Sequence, residues 1–289
     1  MFDLAEEIIE ICKAESKPIW EVVVEKEMET LNLSKEELFE KMNKSLEVMK
    51  TSAKEGLEKE VKSLSGLTGG NAKRIQDYKN KGKTLSGSFI NSAMAKAFST
   101  AEVNASMGKI VASPTAGAAG ILPSAFLSAQ EKLDLTDEDL VKGLFTAAGI
   151  GEIIAKNATI SGAEGGCQAE CGSAAAMAAG AIVEMAGGSP EDSFISASFA
   201  LTNIMGLVCD PIAGLVEYPC ALRNSSGVVN AMISADMALA GVESLVPFDQ
   251  VVEAMSKVGK ALPESLRETA LGGLAATNAG KCYAKEVLK

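Results

Sequence analysis

Six cysteines and no histidine set the chemistry open to this chain of 289 residues. Without an imidazole, Ser-His-Asp and Cys-His catalysis, HExxH metalloprotease sites and all His-ligated zinc or iron centres are excluded. Acid–base work falls to Lys, Glu, Asp, Tyr or Cys. The cysteines stand at 12, 167, 171, 209, 220 and 282, too few for a disulfide-built scaffold in a chain of this length. Gly165-Gly166 precede Cys167, Asp210-Pro211 follow Cys209 and Pro219 precedes Cys220. Turns at these points bring backbone amides close to sulfur and favour thiolate, the form that binds metal. Cys167 and Cys171 are four apart, so they share one face of a helix and can act as a pair. No CxxC knuckle exists for a ribbon-type zinc site, and a radical-SAM set would need a cysteine where Ala174 stands. Spacing therefore leaves Cys167, Cys171, Cys209 and Cys220 as ligand candidates. Cys12, in an amphipathic stretch, reads as a small buried hydrophobe, and Cys282, in a Lys-rich terminus, as an exposed bystander.

Helices are expected to carry these thiols. Hydrophobic residues make up 47% of the chain and charged ones 22%, and the net charge is −11. A core of real size is expected, and a surface this acidic repels phosphate backbones and anionic headgroups, so neither a nucleic-acid nor a membrane partner is expected. The apolar runs 194–209 and 171–183 fall short of the ~20 residues a bilayer span needs. The acidic start carries no signal-peptide pattern, and a reducing cytoplasm is the expected compartment. The first 63 residues are rich in Glu and Lys, with Ile8, Ile9, Ile11 and Cys12 at helical spacing. Pro18 fits a helix start, and Ser34 fits an N-cap for one long helix from Lys35 to about Ser63. A glycine-rich loop, Ser65 to Asn71, follows, and beyond it Ala, Gly, Ser and Met predominate without the alternation of strands. The reading is all-α: an N-terminal docking or linker segment, 1–63, and a catalytic domain of tightly packed Ala/Gly-rich helices, 64–289. Two phosphate motifs fail, because Asp77 replaces the first P-loop glycine and Ile154 the third glycine of a dinucleotide fingerprint.

The segments SGLTGG (65–70), STAEVNASMGKIVASPTAGAAGILP (99–123), NATISGAEGGCQAE (157–170), GLVCDPIAGLVEYPC (206–220), RNSSGVVNAMISADMALAG (223–241) and RETALGGLAAT (267–277) resemble the catalytic α chain of the bacterial iron-sulfur L-serine dehydratases, in its two-chain form. The resemblance covers nearly everything after residue 64. It implies a [4Fe-4S] cluster on Cys167, Cys209 and Cys220 and gives Cys171 no ligand role. A C-terminal capping cysteine, known in single-chain relatives, is not carried over to Cys282, which follows a longer segment and has seven residues after it.

Three thiolates leave one iron open, and an open iron is a Lewis acid that can take a hydroxyl leaving group. The implied reaction is α,β-elimination of L-serine, ending in pyruvate and ammonia without pyridoxal phosphate. For the base, Glu164 lies nearest a cluster cysteine, with Lys109 and Lys156 as alternatives, each needing a pKa moved by burial. Substrate carboxylate and ammonium are expected to meet Ser65, Thr68, Gly69, Gly70 and Asn71 in the first loop, Asn104 and Ser106, and Ser113, Thr115 and Gly117 in the second. The competing readings are an L-cysteine desulfidase with a related cluster and a non-catalytic cluster-binding sensor or scaffold. The resemblance further implies a separate β chain, contacted in part by residues 1–63, in a hetero-oligomer.

Overall fold

The computed structural model describes residues 2–289 and is all-α: among the described residues there are thirteen α-helices and no sheet, only two isolated bridges. The N-terminal segment supplies α1 (Ala5–Glu15), α2 (Ile19–Leu31) and α3 (Lys35–Glu58). After the first loop come α4 (Asn71–Asn80), α5 (Gly87–Ala105), α6 (Ile121–Leu133), α7 (Asp137–Asn157) and the single turn α8 (Gly162–Gly165). A π-helical turn, Gln168–Gly172, leads into α9 (Ser173–Met185). Then follow α10 (Pro190–Thr202), α11 (Cys220–Leu239), α12 (Phe248–Ala261) and α13 (Asn278–Val287). Among the described residues no helix is long and apolar enough to cross a membrane.

The helix starts carry the expected chemistry. Ser34, Thr136 and Ser189 each accept the N3 amide while the N3 carboxylate of Glu37, Asp139 or Asp192 returns to the cap backbone, worth about 1 kcal/mol per cap. Pro18 caps α2. The long helix expected to reach Ser63 stops at Glu58. Beyond it the backbone turns to pair with the first loop, Ser63 N–H to Thr68 O and Gly70 N–H to Val61 O, both 3.0 Å.

At the centre lies α9, packed on α6, α7, α10 and α11. Residues 173–183 are buried without exception, as a helix apolar all round must be. Alanine suits such a helix twice, by propensity and by letting backbones approach. Gly180 takes this furthest: a Cβ there would stand 2.9 Å from the Ser193 carbonyl of α10 and collide with Ile150 of α7. Phe2, Ile8, Val23 and Leu46 from the first 63 residues join Ile121, Ile150 and Ala178 in one continuous core. Cys12 is buried in that core, and burial pushes its thiol up to about 12. Cys282 is exposed on α13.

Candidate metal centre

Three separate segments bring the central cysteines together. Cys167 precedes the π-helical turn, Cys209 lies in the stretch between α10 and α11, and Cys220 opens α11. All three are buried, at 2%, 2% and 7% exposure. π-turns recur at functional sites because the extra residue re-aims side chains. Here the turn leaves the Cys167 and Cys171 sulfurs 3.3 Å apart and presents the Glu170 carboxylate to the Cys209 thiol at 3.9 Å. Glycine makes the room: a Cβ on Gly162 would lie 2.5 Å from Glu170 Oε2 and 3.2 Å from Cys209 Sγ.

The Cys209 stretch is strapped in place by the segment after α12. Its N–H donates to Leu266 O at 2.9 Å, and its carbonyl accepts the Glu268 N–H at 2.7 Å. Glu268 and Ala270 both hold left-handed backbone angles, φ 63° and 56°, a conformation that costs a non-glycine residue ~1 kcal/mol or more and clusters at functional sites. Asp210 next door accepts from Leu274 N–H at 2.6 Å and pairs with Arg223 Nη2 at 2.7 Å.

The thiols differ in proton affinity. A hydrogen bond from Cys171, and beyond it the Arg223 guanidinium, hold Cys167 below the usual thiol range despite burial. Burial raises Cys209, helped by the negative charge of Cys167 and Glu170, and the same causes push Cys220 up to about 12. Cys171 is raised by its bond to Cys167 and by burial. A soft, multivalent cation would displace the protons of Cys209 and Cys220, as thiolate ligation requires. Among the described residues no three His, Cys, Asp or Glu side chains converge on a point for a single metal ion. A cubane, whose corners keep its ligands apart, asks for a cradle of separated soft donors, and three buried thiols from three segments fit that demand.

The loop residues expected to meet substrate are mostly engaged in holding the site. Ser65 Oγ accepts from Leu67 N–H at 3.0 Å, and Thr68 donates to Glu217 at 3.1 Å, three residues before Cys220. Gly69 pairs with Lys62, and a Cβ there would meet the Val61 carbonyl at 2.6 Å. Gly70, with φ 72°, caps α4. Asn71 accepts from Arg74 at 2.9 Å. Asn104 donates to Ala116 O at 3.3 Å, Ser106 to Val103 O at 2.9 Å, and Ser113 weakly to Val111 O at 3.4 Å. Thr115 reaches the centre itself and donates to Glu170 at 2.8 Å. Gly117 faces Glu170, 3.2 Å from where its Cβ would be, and its carbonyl accepts Asn224 Nδ2 at 2.6 Å.

The base candidates lie elsewhere. Glu164 is exposed and accepts the Thr159 hydroxyl at 2.7 Å. Lys109 is exposed, and Lys156 is paired with Asp3 at 2.7 Å and Glu152 at 2.9 Å. Glu170, Asp210, Glu217, Arg223 and Asn224 were not singled out in sequence, although Glu170 and Arg223 each follow a cysteine by three residues. That i,i+3 spacing on a helix was the available signal.

Glu102 underlies the first loop. It is 1% exposed, accepts Asn71 N–H at 2.5 Å, and leaves Oε2 buried without a partner. Burial pushes its carboxyl up to about 6. The folded chain thus holds this proton more tightly than the unfolded chain does, so stability falls as pH rises from the ordinary glutamate range through about 6. The loss above pH 7 is on the order of 2 kcal/mol. Glu102→Gln is expected to raise the melting temperature by roughly 4 °C at pH 7.5 and to leave it unchanged below pH 4.5. Equal shifts at both pH values would show that ionisation is not the cause.

The family model "Serine dehydratase alpha chain" matches residues 14–275. The chain belongs to the serine dehydratase alpha-chain family. It is 51% identical to the "L-serine dehydratase, alpha chain" of Peptoniphilus asaccharolyticus, covering 100% of this chain and 99% of that one. It is likewise 51% identical to the "Probable L-serine dehydratase, alpha chain" of Bacillus subtilis (strain 168), over 99% of this chain and 95% of that one. The "L-serine dehydratase" of Helicobacter pylori (strain J99 / ATCC 700824) is 34% identical over 96% of this chain, which spans 62% of that longer protein. In this serine dehydratase alpha chain Cys167, Cys209 and Cys220 are buried, with Glu170 and Arg223 close enough to shift their proton affinities.

Proposed function

We propose that the chain is the catalytic subunit of an L-serine dehydratase, an ammonia-lyase that converts L-serine to pyruvate and ammonia on a [4Fe-4S] cluster held by Cys167, Cys209 and Cys220. The observation that carries this reading is that those three thiols, from three segments, are buried and near enough for the charge of Cys167 to raise the other two, in a chain half identical to proteins of that name. When bound, the cluster supplies a Lewis-acidic iron for the departing hydroxyl. The chain's own residues do the rest. Thr115 fixes Glu170, a carboxylate whose proton affinity burial raises, which is what a group exchanging a proton near neutral pH requires. Glu164 keeps the argument of its place three residues before Cys167; burial favours Glu170. Gly162 and Gly117, having no side chains, let that carboxylate pack against their backbone.

A separately encoded β chain completes the enzyme in this reading, supported by the relatives that match end to end and are named alpha chains. Residues 1–63 are proposed to contribute to the contact, and free cysteines suit a reducing cytoplasm. The deciding experiment is anaerobic reconstitution of the α–β complex with iron and sulfide, followed by assays with L-serine and L-cysteine. Pyruvate and ammonia from L-serine are expected. Preferential sulfide release from L-cysteine would make the chain a desulfidase, and a full cluster without turnover would make it a sensor or scaffold.

A further inference from the structure

Arg223 follows Cys220 by three residues on α11, so its side chain leaves the helix on the cysteine's face. Its Nη2 is tied to Asp210 at 2.7 Å, and Asp210 is itself held by the Leu274 amide at 2.6 Å. One edge of the guanidinium is therefore fixed. Nη1, by contrast, is buried and meets no acceptor at hydrogen-bond distance, the guanidinium's remaining influence being the charge of the nearby Cys167 thiolate. A buried charged donor without an acceptor is costly, and native structures keep such groups where something else satisfies them. Arg267, in the strap bridged to Cys209, likewise leaves Nε buried and unpartnered. Two cationic groups with spare donors thus flank the cysteine cradle.

We infer that Arg223 is the carboxylate subsite of this centre, with Nη1 donating to the α-carboxylate of an amino-acid substrate and Asp210 positioning the guanidinium. The inference rests on the amino-acid lyase reading and adds the residue that selects an α-carboxylate. A planar guanidinium with one edge already paired suits a second carboxylate, and Lys cannot reproduce its fork. The rival role for Nη1 is service to the Cys167 thiolate alone, which the guanidinium already favours electrostatically.

The test measures binding of amino acids that cannot lose a hydroxyl, so no turnover is needed. Anaerobic calorimetry on the cluster-loaded α–β complex compares L-alanine with L-alaninamide, which lacks the carboxylate. The unvaried complex is expected to prefer L-alanine at least tenfold. Arg223→Gln is expected to erase that preference with the iron-sulfur absorbance retained, and Arg223→Lys to restore part of it. Equal binding of the two analogues by the unvaried complex overturns the inference without recourse to a variant. So does an undiminished preference in Arg223→Gln, and so does loss of cluster absorbance in both variants with the preference intact, which assigns the guanidinium to Cys167. L-Serine turnover by the unvaried complex separately tests the lyase reading, so the two failures are told apart.

Discussion

Serine in place of Cys167, Cys209 or Cys220 is expected to abolish the iron-sulfur absorbance and to lower L-serine turnover about a thousandfold or more. A metal Lewis acid contributes several kcal/mol to a step that expels hydroxide, and each 1.4 kcal/mol is a factor of ten. Each of the three thiols is buried and comes from a different segment, and only Cys167 has a second cysteine, Cys171, on its own element. Cys12→Ser is expected to leave both properties intact, because that thiol lies in the apolar core. Cys171 provides the discriminating case, since its sulfur is 3.3 Å from that of Cys167. Cys171→Ser should keep the cluster, with a hydroxyl taking over the hydrogen bond to Cys167. A cluster that survives Cys167→Ser and disappears in Cys171→Ser would reverse the ligand assignment.

Air followed by exhaustive chelation is expected to remove essentially all activity, and ferrous iron, sulfide and a reductant should return it. Three thiolates leave one corner of a cubane without a protein ligand, and that corner is lost first on oxidation. The emptied site has a second consequence. Cys209 and Cys220, raised by burial and by neighbouring negative charge, take up protons that reloading must expel, so reconstitution should slow as pH falls below neutrality. Parallel records of absorbance at the cluster bands and of pyruvate release check both points. Full activity after chelation would end the cluster mechanism.

Fold class was legible without coordinates because it rests on periodicity and composition. Ile8 and Cys12 repeat at helical spacing, Ser34 and Pro18 mark helix starts, and the alanine run of α9 admits no amphipathic strand. The end of α3 was not legible. Glu58 to Ser63 is compatible with helix locally, and only the pairing of Val61 and Ser63 with residues 68–70 ends it. Tertiary hydrogen bonds outweigh a propensity difference of a few tenths of a kcal/mol per residue.

The centre divides in the same way. Residue types confined the chemistry: no imidazole was available, and cysteines beside glycine or proline were the candidates for soft-metal ligation. Those facts are properties of single positions and survive any fold. Which carboxylate and which cation face the thiols was decided by packing. Glu164 and Glu170 sit in one motif, six residues apart, yet one is exposed to water while the other is turned by a π-helical bend toward Cys209. Arg223 gains its position from Asp210 and from a strap more than forty residues further along the chain. Burial and charge pairing depend on groups far apart in sequence, so they exist only once the helices have closed around them.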